Sequence, residues 1–542
     1  MLETIHIDHR VNALKLRSAQ KYNIPPQNCH IGHLVLQGML DNPKMTNQID
    51  AATDKSETNG SVAVRSMQLA SAFNNFGLKP GDAVVISGFN HLDIAIPFYA
   101  CHYNGLSVCG VDPCAGLADL KGLYPDVKPK ITFCQRNIAE HVKEAYATAN
   151  MEGKIIVFDD EKNNMENFIQ EYNGTEVNFR PAEFDHSEIP AWLILTSGTT
   201  GNPKVAIIPY DTLLNGMCCW WRPFTTVINL SLTMSSFQWL SALIYFICGP
   251  LRKYTRLQCS LPLNAPLLVS IINKYKPELT AWIPHLLGQF LAGTEKVCDV
   301  SCFKFVVVTG NPMEKSVLDK FKERTNAYLY LAYSMTELLV PGFDYNSETP
   351  FGSVGKPYEK YQYKLIDDQG HRIDKPFKNG ELYIKGDDFF KGYLANPEET
   401  NKMLTEDGWF KTGDMFYRDE DDNYYFVERK RLLIKSSGYW VSPLQLEGII
   451  KKHPNVANVC VVGIPDKERI EAPVAAIVKR PGTDVKPKEI FDLITESNPE
   501  PRHLHGGLFF MDALPMTPSG KVHRYKIKEI TLTADRIMPP AK

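Results

Sequence analysis

Trp192-Leu193-Ile194-Leu195-Thr196-Ser197-Gly198-Thr199-Thr200-Gly201-Asn202-Pro203-Lys204 passes in one step from an apolar run to a polar loop. Trp192 to Leu195 has the length and bulk of a buried strand. Gly198 and Gly201 permit tight turns and close approach to a ligand. Backbone N–H groups in such a loop can form an anion-binding nest. The hydroxyls of Thr196, Ser197, Thr199 and Thr200 add donors, and Lys204 adds a positive charge. The G-x-x-x-x-G-K spacing of a Walker loop is absent. Two readings stand at this point: a strand feeding a phosphate loop, or a surface loop rich in Gly, Ser and Thr.

Similar apolar runs lie on both sides. Ala83 to Phe89, Ile155 to Phe158 and Phe305 to Val308 read as buried strands, and Ser66 to Phe76 has apolar residues at helical spacing. Strands separated by helical patterns predict an α/β fold with mainly parallel sheets. From about residue 351 alternating segments with Gly and Asp turns predict a β-rich subdomain. After residue 430 a helix, a strand and a second helix (443–453, 456–464 and 489–497) predict a small α+β module. The expected organisation is a large domain, 1–430, of layered α/β subdomains plus the β-rich one, and a small mobile domain, 431–542. A chain of 542 residues exceeds what one core holds.

The composition narrows the class of function. The net charge is −3 without a basic block, which argues against nucleic acid as the main partner. The most apolar stretch, Trp239 to Leu251, is shorter than the roughly 20 residues a membrane span needs and reads as a buried helix. The first ten residues carry His6, Asp8, His9 and Arg10, with no apolar signal region. The last four are Pro539-Pro540-Ala541-Lys542, without an S-K-L address. A cytoplasmic location, reduced thiols for most of the 12 cysteines and chance sequons at Asn59, Asn173 and Asn229 are the corresponding expectations.

Five further segments follow the loop in order: Thr309-Gly310-Asn311-Pro312, Tyr333-Ser334-Met335-Thr336-Glu337, Gly408 to Asp414 (GWFKTGD), Glu428 to Tyr439 (ERKRLLIKSSGY), and Pro515 to Lys521 (PMTPSGK). Taken singly, Tyr333 is equally a core aromatic, Glu337 a solvated helix residue and Lys521 a surface lysine. Taken together with TSGTTGNPK, they resemble the adenylate-forming superfamily of acyl-CoA synthetases, coumarate–CoA ligases and luciferases over roughly residues 60 to 530. The insect luciferase-like synthetase branch is the nearest resemblance.

The resemblance implies ATP, Mg²⁺ and coenzyme A as cofactors and a small carboxylic acid as substrate, in a monomer or weak homodimer. It implies that Thr196, Ser197, Gly198, Thr199, Thr200, Gly201 and Lys204 cradle the phosphates, with Thr336 reaching the same groups. Gly310 and Asn311 would line the adenine and acyl pockets, Tyr333 would pack on adenine, and Glu337 would hold the metal. Asp414 and Arg429 would bind the ribose, a task suited to a carboxylate with several acceptor sites. Arg431 would be the hinge, Gly438 would line a pantetheine tunnel, and Lys521 would stabilise charge between carboxylate and α-phosphate.

Departures from the pattern are Val205 after Lys204, Ser334 after Tyr333, and Glu428 before Arg429; none removes a charged group. The largest lies in Leu232 to Ala242, where the usual His is missing and Phe237 takes its place, with Trp220, Trp221 and Trp239 nearby. That segment reads either as a wall for a flat aromatic or medium-chain acid, or as core packing. Within the family the rival to a ligase is a luciferase using oxygen, to which Lys435 and His505-Gly506-Gly507 also correspond. A non-catalytic adenylate-binding protein would have lost Lys521, Glu337 or Asp414, and all three are present.

Overall fold

The computed structural model describes residues 4–196, 204–220, 227–387, 389–437, 439–497, 502–517 and 521–540, without the side chains of 4–8, 217–220 and 242–244. These residues group into two compact units. The first takes in the chain up to Thr196, Lys204–Lys360 and Gly386–Lys402; the second takes in Tyr361–Lys385 and the chain from Met403. The β-rich segments Tyr361–Lys385 and those after Met403 therefore group with the C-terminal module, while the strand Ser353–Pro357 belongs to the first unit.

The first unit contains two sheets. In one, the strands run in the order Lys154–Val157, Ile131–Cys134, Ala83–Ser87, Ser107–Val111, Pro190–Leu195 and Val205–Pro209. All neighbours are parallel except the last pair, which is antiparallel. Val84, Val85 and Ile86 are fully buried, as a strand covered on both faces requires. The second sheet runs Tyr328–Ala332, Phe305–Thr309, Leu279–Trp282, Leu230–Leu232, Thr255–Gln258, Thr46–Asp50 and Lys55–Thr58, parallel but for its last pair.

Helices connect the parallel strands. Asn59–Phe76, which contains the helical pattern read from sequence, starts at Thr58, whose hydroxyl accepts from the Ser61 N–H, and stops at Gly77 with φ 103°. Such a Thr start and left-handed Gly stop satisfy backbone groups the helix cannot. The apolar stretch near 239 forms the helix Leu240–Arg252, with Tyr245 through Cys248 buried. Among the described residues no helix is long and apolar enough to cross a membrane.

The second unit has strands from two sheets. Gln362–Ile366, Gly380–Lys385, Phe410–Arg418 and Tyr424–Arg429 form an antiparallel meander. Val456–Asp466 and Ile470–Lys479 form a long antiparallel pair, extended by Ile434–Ser436 and by Leu508–Phe510. Leu446 and Ile450 of the helix Pro443–Ile450 and Ile490 and Ile494 of Pro487–Ser497 bury against its central strands. Among the described cysteines ten are free thiols, Cys298 and Cys302 included.

Candidate active site

The polar loop after Leu195 leaves and re-enters one antiparallel strand pair, Leu195 opposite Val205. Its neck is closed by the Thr196 N–H donating to the Lys204 carbonyl at 2.8 Å and the Lys204 N–H to the Thr196 hydroxyl at 3.4 Å. Ser197, Gly198, Thr199, Thr200 and Gly201 lie outside the described residues.

Two other segments leave neighbouring parallel strands. Phe305–Thr309 ends at Gly310 and Asn311, and Tyr328–Ala332 ends at Tyr333. The carboxyl ends of parallel strands are where α/β sheets hold ligands. The Thr309 hydroxyl joins the two ends, donating to the Ala332 carbonyl at 2.8 Å and lying 3.3 Å from the Ser334 hydroxyl. Gly310 has φ 96°, a left-handed turn that a side chain would strain. Gly342 donates to the Tyr333 carbonyl at 2.7 Å, and a Cβ there would meet the Tyr333 ring at 2.8 Å. The ring of Tyr333 is thus held by a glycine that leaves it room, with Phe343 at 5.8 Å.

Thr336 and Glu337 form the turn after this ring, and Glu337 is buried. The Tyr393 hydroxyl donates to Glu337 Oε1 at 2.6 Å. Lys204 reaches the same place: its ammonium lies 5.0 Å from the centre of the Tyr393 ring and pairs with Glu399. Hydrogen bonds from Lys204 and Lys402 hold the Glu399 carboxyl down to about 2.

Glu337 has no ion-pair partner among the described residues, a costly state for a buried carboxylate unless a cation completes it. No group of three or more His, Cys, Asp or Glu side chains able to hold a metal exists among those residues. Glu337 is the described carboxylate that could hold a cation here, and its hard oxygen ligands suit Mg²⁺.

In the second unit, Asp414 and Arg429 face each other across adjacent strands, with Arg429 Nε 3.4 Å from Asp414 Oδ1. Asp414 is buried, and its N–H donates to the Thr412 hydroxyl at 3.1 Å. Lys521 belongs to the same group. Burial first, then the Arg429 charge, push its ammonium below the ordinary lysine value, while Asp414 opposes them. The base of the Lys521 loop is tied twice: Thr517 N–H donates to the Lys521 carbonyl at 2.7 Å, and Lys521 N–H to the Thr517 hydroxyl at 3.1 Å.

Three residues further on, Arg524 makes paired hydrogen bonds to Glu447, at 2.6 and 2.8 Å, and a third to the Val461 carbonyl at 2.9 Å. Glu428, the residue before Arg429, accepts from the Leu444 N–H at 3.2 Å. Burial raises its pKa, against the pull of Arg524.

Lys435 is exposed and sits opposite Trp440 in a short hairpin, its ammonium 5.7 Å from the indole. Arg431 lies exposed in the 3₁₀ turn Lys430–Leu432, and Gly438 is outside the described residues. Phe237 is fully buried, with Phe98 at 5.8 Å and Phe246 at 5.5 Å, which favours core packing over a pocket wall.

The structure therefore brings Lys204 and Glu337 to one shared side chain, Tyr393, and brings Lys521, Arg429 and Asp414 together. Tyr393, Glu399, Arg524 and Glu447 were not legible as site residues. Arg524 had a usable signal, its place three residues after Lys521. Tyr393 and Glu399 sit in KGYLANPEET, which has no hydrophobic period to read.

Residues 40–394 match the family described as AMP-binding enzyme, and residues 445–521 match the AMP-binding enzyme C-terminal domain. The chain belongs to the AMP-binding enzyme family. It is 28% identical over 493 residues to a luciferin 4-monooxygenase of Photuris pensylvanica, covering 86% of this chain and 88% of that one. It is also 28% identical over 499 residues to 4-coumarate-CoA ligase 1 of Narcissus pseudonarcissus, covering 89% and 90%. The anthranilate CoA ligase AuaEII, solved with anthranoyl-AMP, shares the fold at a TM-score of 0.84 and 19% identity, covering 94% of this chain and 98% of that one.

Proposed function

We propose that this enzyme activates a small carboxylic acid with ATP and passes the acyl group to coenzyme A. The observation that carries the reading is the grouping of Lys521, Arg429 and Asp414. An ammonium held beside a guanidinium and a carboxylate suits a nucleotide whose ribose takes the carboxylate and whose α-phosphate takes the ammonium.

In the first half-reaction a substrate carboxylate oxygen attacks the α-phosphorus, and the bond to pyrophosphate breaks. No enzyme nucleophile is needed, so positioning and fixed charge supply the rate. Lys204 and Thr336 stabilise the phosphates, and Glu337 would hold the metal, which would supply neutralisation of phosphate charge. Asp414 and Arg429 anchor the ribose, and Lys521 stabilises the charge that gathers as the new bond forms. In the second half-reaction residues 431–542 turn about Arg431, and the segment around Gly438 guides the thiol to the acyl carbon, releasing AMP. The reading includes a cytoplasmic location.

The likeness to the Photuris protein favours one second reading, oxidation of an adenylated substrate with emission of light. A panel of carboxylic acids with ATP, Mg²⁺ and coenzyme A, scored for AMP, acyl-CoA and light in the same wells, separates the two. Acyl-CoA without light supports the ligase. Oxygen-dependent light from one acid, with no thioester from any, overturns it.

A further inference from the structure

Tyr393 sits where three lines of geometry meet. Residues 391–394 lie along the strand Val205–Pro209: Lys391 N–H donates to the Ile207 carbonyl at 2.9 Å, Ile207 N–H to Gly392 at 3.0 Å, and Leu394 N–H to Val205 at 2.8 Å. This edge pairing carries Tyr393 to the exit of the phosphate loop, 189 positions away in sequence as 393 − 204. Its own N–H donates to the Thr400 hydroxyl at 2.8 Å, and its ring packs 4.9 Å from Phe390. Phe390 in turn donates its N–H to the Glu337 carbonyl at 3.0 Å. The tyrosine is 5% exposed, so neither ring nor hydroxyl is free to wander.

What this fixed side chain holds is chemically specific. Its hydroxyl donates to Glu337 Oε1 at 2.6 Å, the short contact expected when the acceptor is a carboxylate. One oxygen of the carboxylate is thereby assigned, and the other is left in a set orientation. Its ring face carries the Lys204 ammonium at 5.0 Å, within the range in which a cation is attracted to an aromatic face. A single rigid side chain thus touches both the group that meets phosphate and the group that meets metal.

We propose that Tyr393 is a positioning residue: its hydroxyl orients Glu337 for the divalent cation while its ring seats Lys204. The inference rests on the role given above to Glu337. Tyr393 does not touch the reacting atoms; it acts through the two residues that do.

The test is equilibrium binding of ATP to the whole protein without any carboxylic acid, titrated with Mg²⁺ and followed by calorimetry. Tyr393→Phe removes one oxygen and keeps the ring on Phe390. It is expected to raise the Mg²⁺ concentration for half-maximal ATP binding by about tenfold, the usual effect of losing a hydrogen bond to a metal-binding carboxylate. Metal-free ATP binding should stay unchanged, and the melting temperature should fall by no more than the loss of one buried hydrogen bond requires. Tyr393→Leu, which also removes the ring face, should in addition weaken metal-free ATP binding. Glu337→Gln should raise the Mg²⁺ requirement, and adding Tyr393→Phe to it should change nothing further. A normal Mg²⁺ requirement in Tyr393→Phe, with Glu337→Gln impaired, overturns the inference and leaves the metal role of Glu337 standing. A normal requirement in Glu337→Gln overturns both. Fully additive effects in the double variant overturn the coupling. If Tyr393→Phe does not fold, a normal Mg²⁺ requirement in folded Tyr393→Leu overturns the inference, and a raised one supports it.

Discussion

Arg524 and Glu447 meet through two hydrogen bonds, 2.6 and 2.8 Å long, just beyond the loop that carries Lys521. Glu447 is 8% exposed at its side chain, so removing its partner leaves a charge that water barely reaches. Arg524→Ala should destabilise the fold by on the order of 3 kcal/mol, the cost of breaking a buried pair from one side. Arg524→Ala with Glu447→Gln should recover part of that loss. Urea unfolding of the four proteins of this cycle checks it. A single Arg524→Ala variant as stable as the parent would show that the pair holds nothing.

Lys521→Ala should lower the rate of pyrophosphate release by about a hundredfold or more, the scale of losing one fixed donor at a charged transition state. The melting temperature should be unchanged. Normal pyrophosphate release in this variant would sink the assignment of the lysine.

The pH dependence has a definite sign. Burial and Arg429 lower the Lys521 pKa, and only the protonated form carries the useful charge. Adenylation should therefore fall on the alkaline side with a midpoint below the ordinary lysine value of 10.5. Asp414 opposes the lowering, so Asp414→Asn should move that limb to still lower pH, whatever it does to ATP affinity. Rates of ATP–pyrophosphate exchange across pH 6 to about 10, where lysine titrates, decide the matter. A limb that stays put or moves upward in Asp414→Asn would contradict the arrangement.

Acid should weaken the first unit. His30, His33 and His102 are buried, with His30 and His33 rings 4.2 Å apart and His102 Nδ1 3.2 Å from the Tyr210 hydroxyl. Burial lowers the His33 pKa to about 4 and that of His102 to about 3, and it lowers His30 as well. The unfolded chain binds protons near the ordinary value of 6.5, where the folded one does not. Stability should fall as pH drops from about 6.5 toward 4, because protons then favour the unfolded state. His33→Gln should flatten that slope in melting curves taken between those values. An unchanged slope would mean that other groups set it.

Substituting Gly438 with Val should reduce thioester formation more than adenylation. Pyrophosphate release and acyl-CoA formation measured on the same samples test this. Equal losses in both would refute the division of labour between the half-reactions.

Much of the fold was readable because buried parallel strands declare themselves as apolar runs. Phe305 to Val308 and Trp192 to Leu195 needed no partner to be recognised, since both faces of each are covered. The candidate site residues Lys204, Asp414, Arg429 and Lys521 could be singled out because short motifs surround them. The ties between those motifs could not. The pairing of residues 391–394 with Val205–Pro209 is made by backbone hydrogen bonds, which any side chains allow. Tyr393 therefore looks ordinary in sequence, and its meaning comes wholly from where that edge pairing delivers it. Glu447 likewise reads as one polar position in an amphipathic helix until Arg524 folds onto it.

The loop between Thr196 and Lys204 is followed by the strand Val205–Pro209, where a nucleotide loop of the Walker kind would be followed by a helix. The chain that follows the loop therefore brings no helix macrodipole of its own to it. The described groups at its neck that can attract an anion are the Lys204 ammonium and the Thr196 hydroxyl.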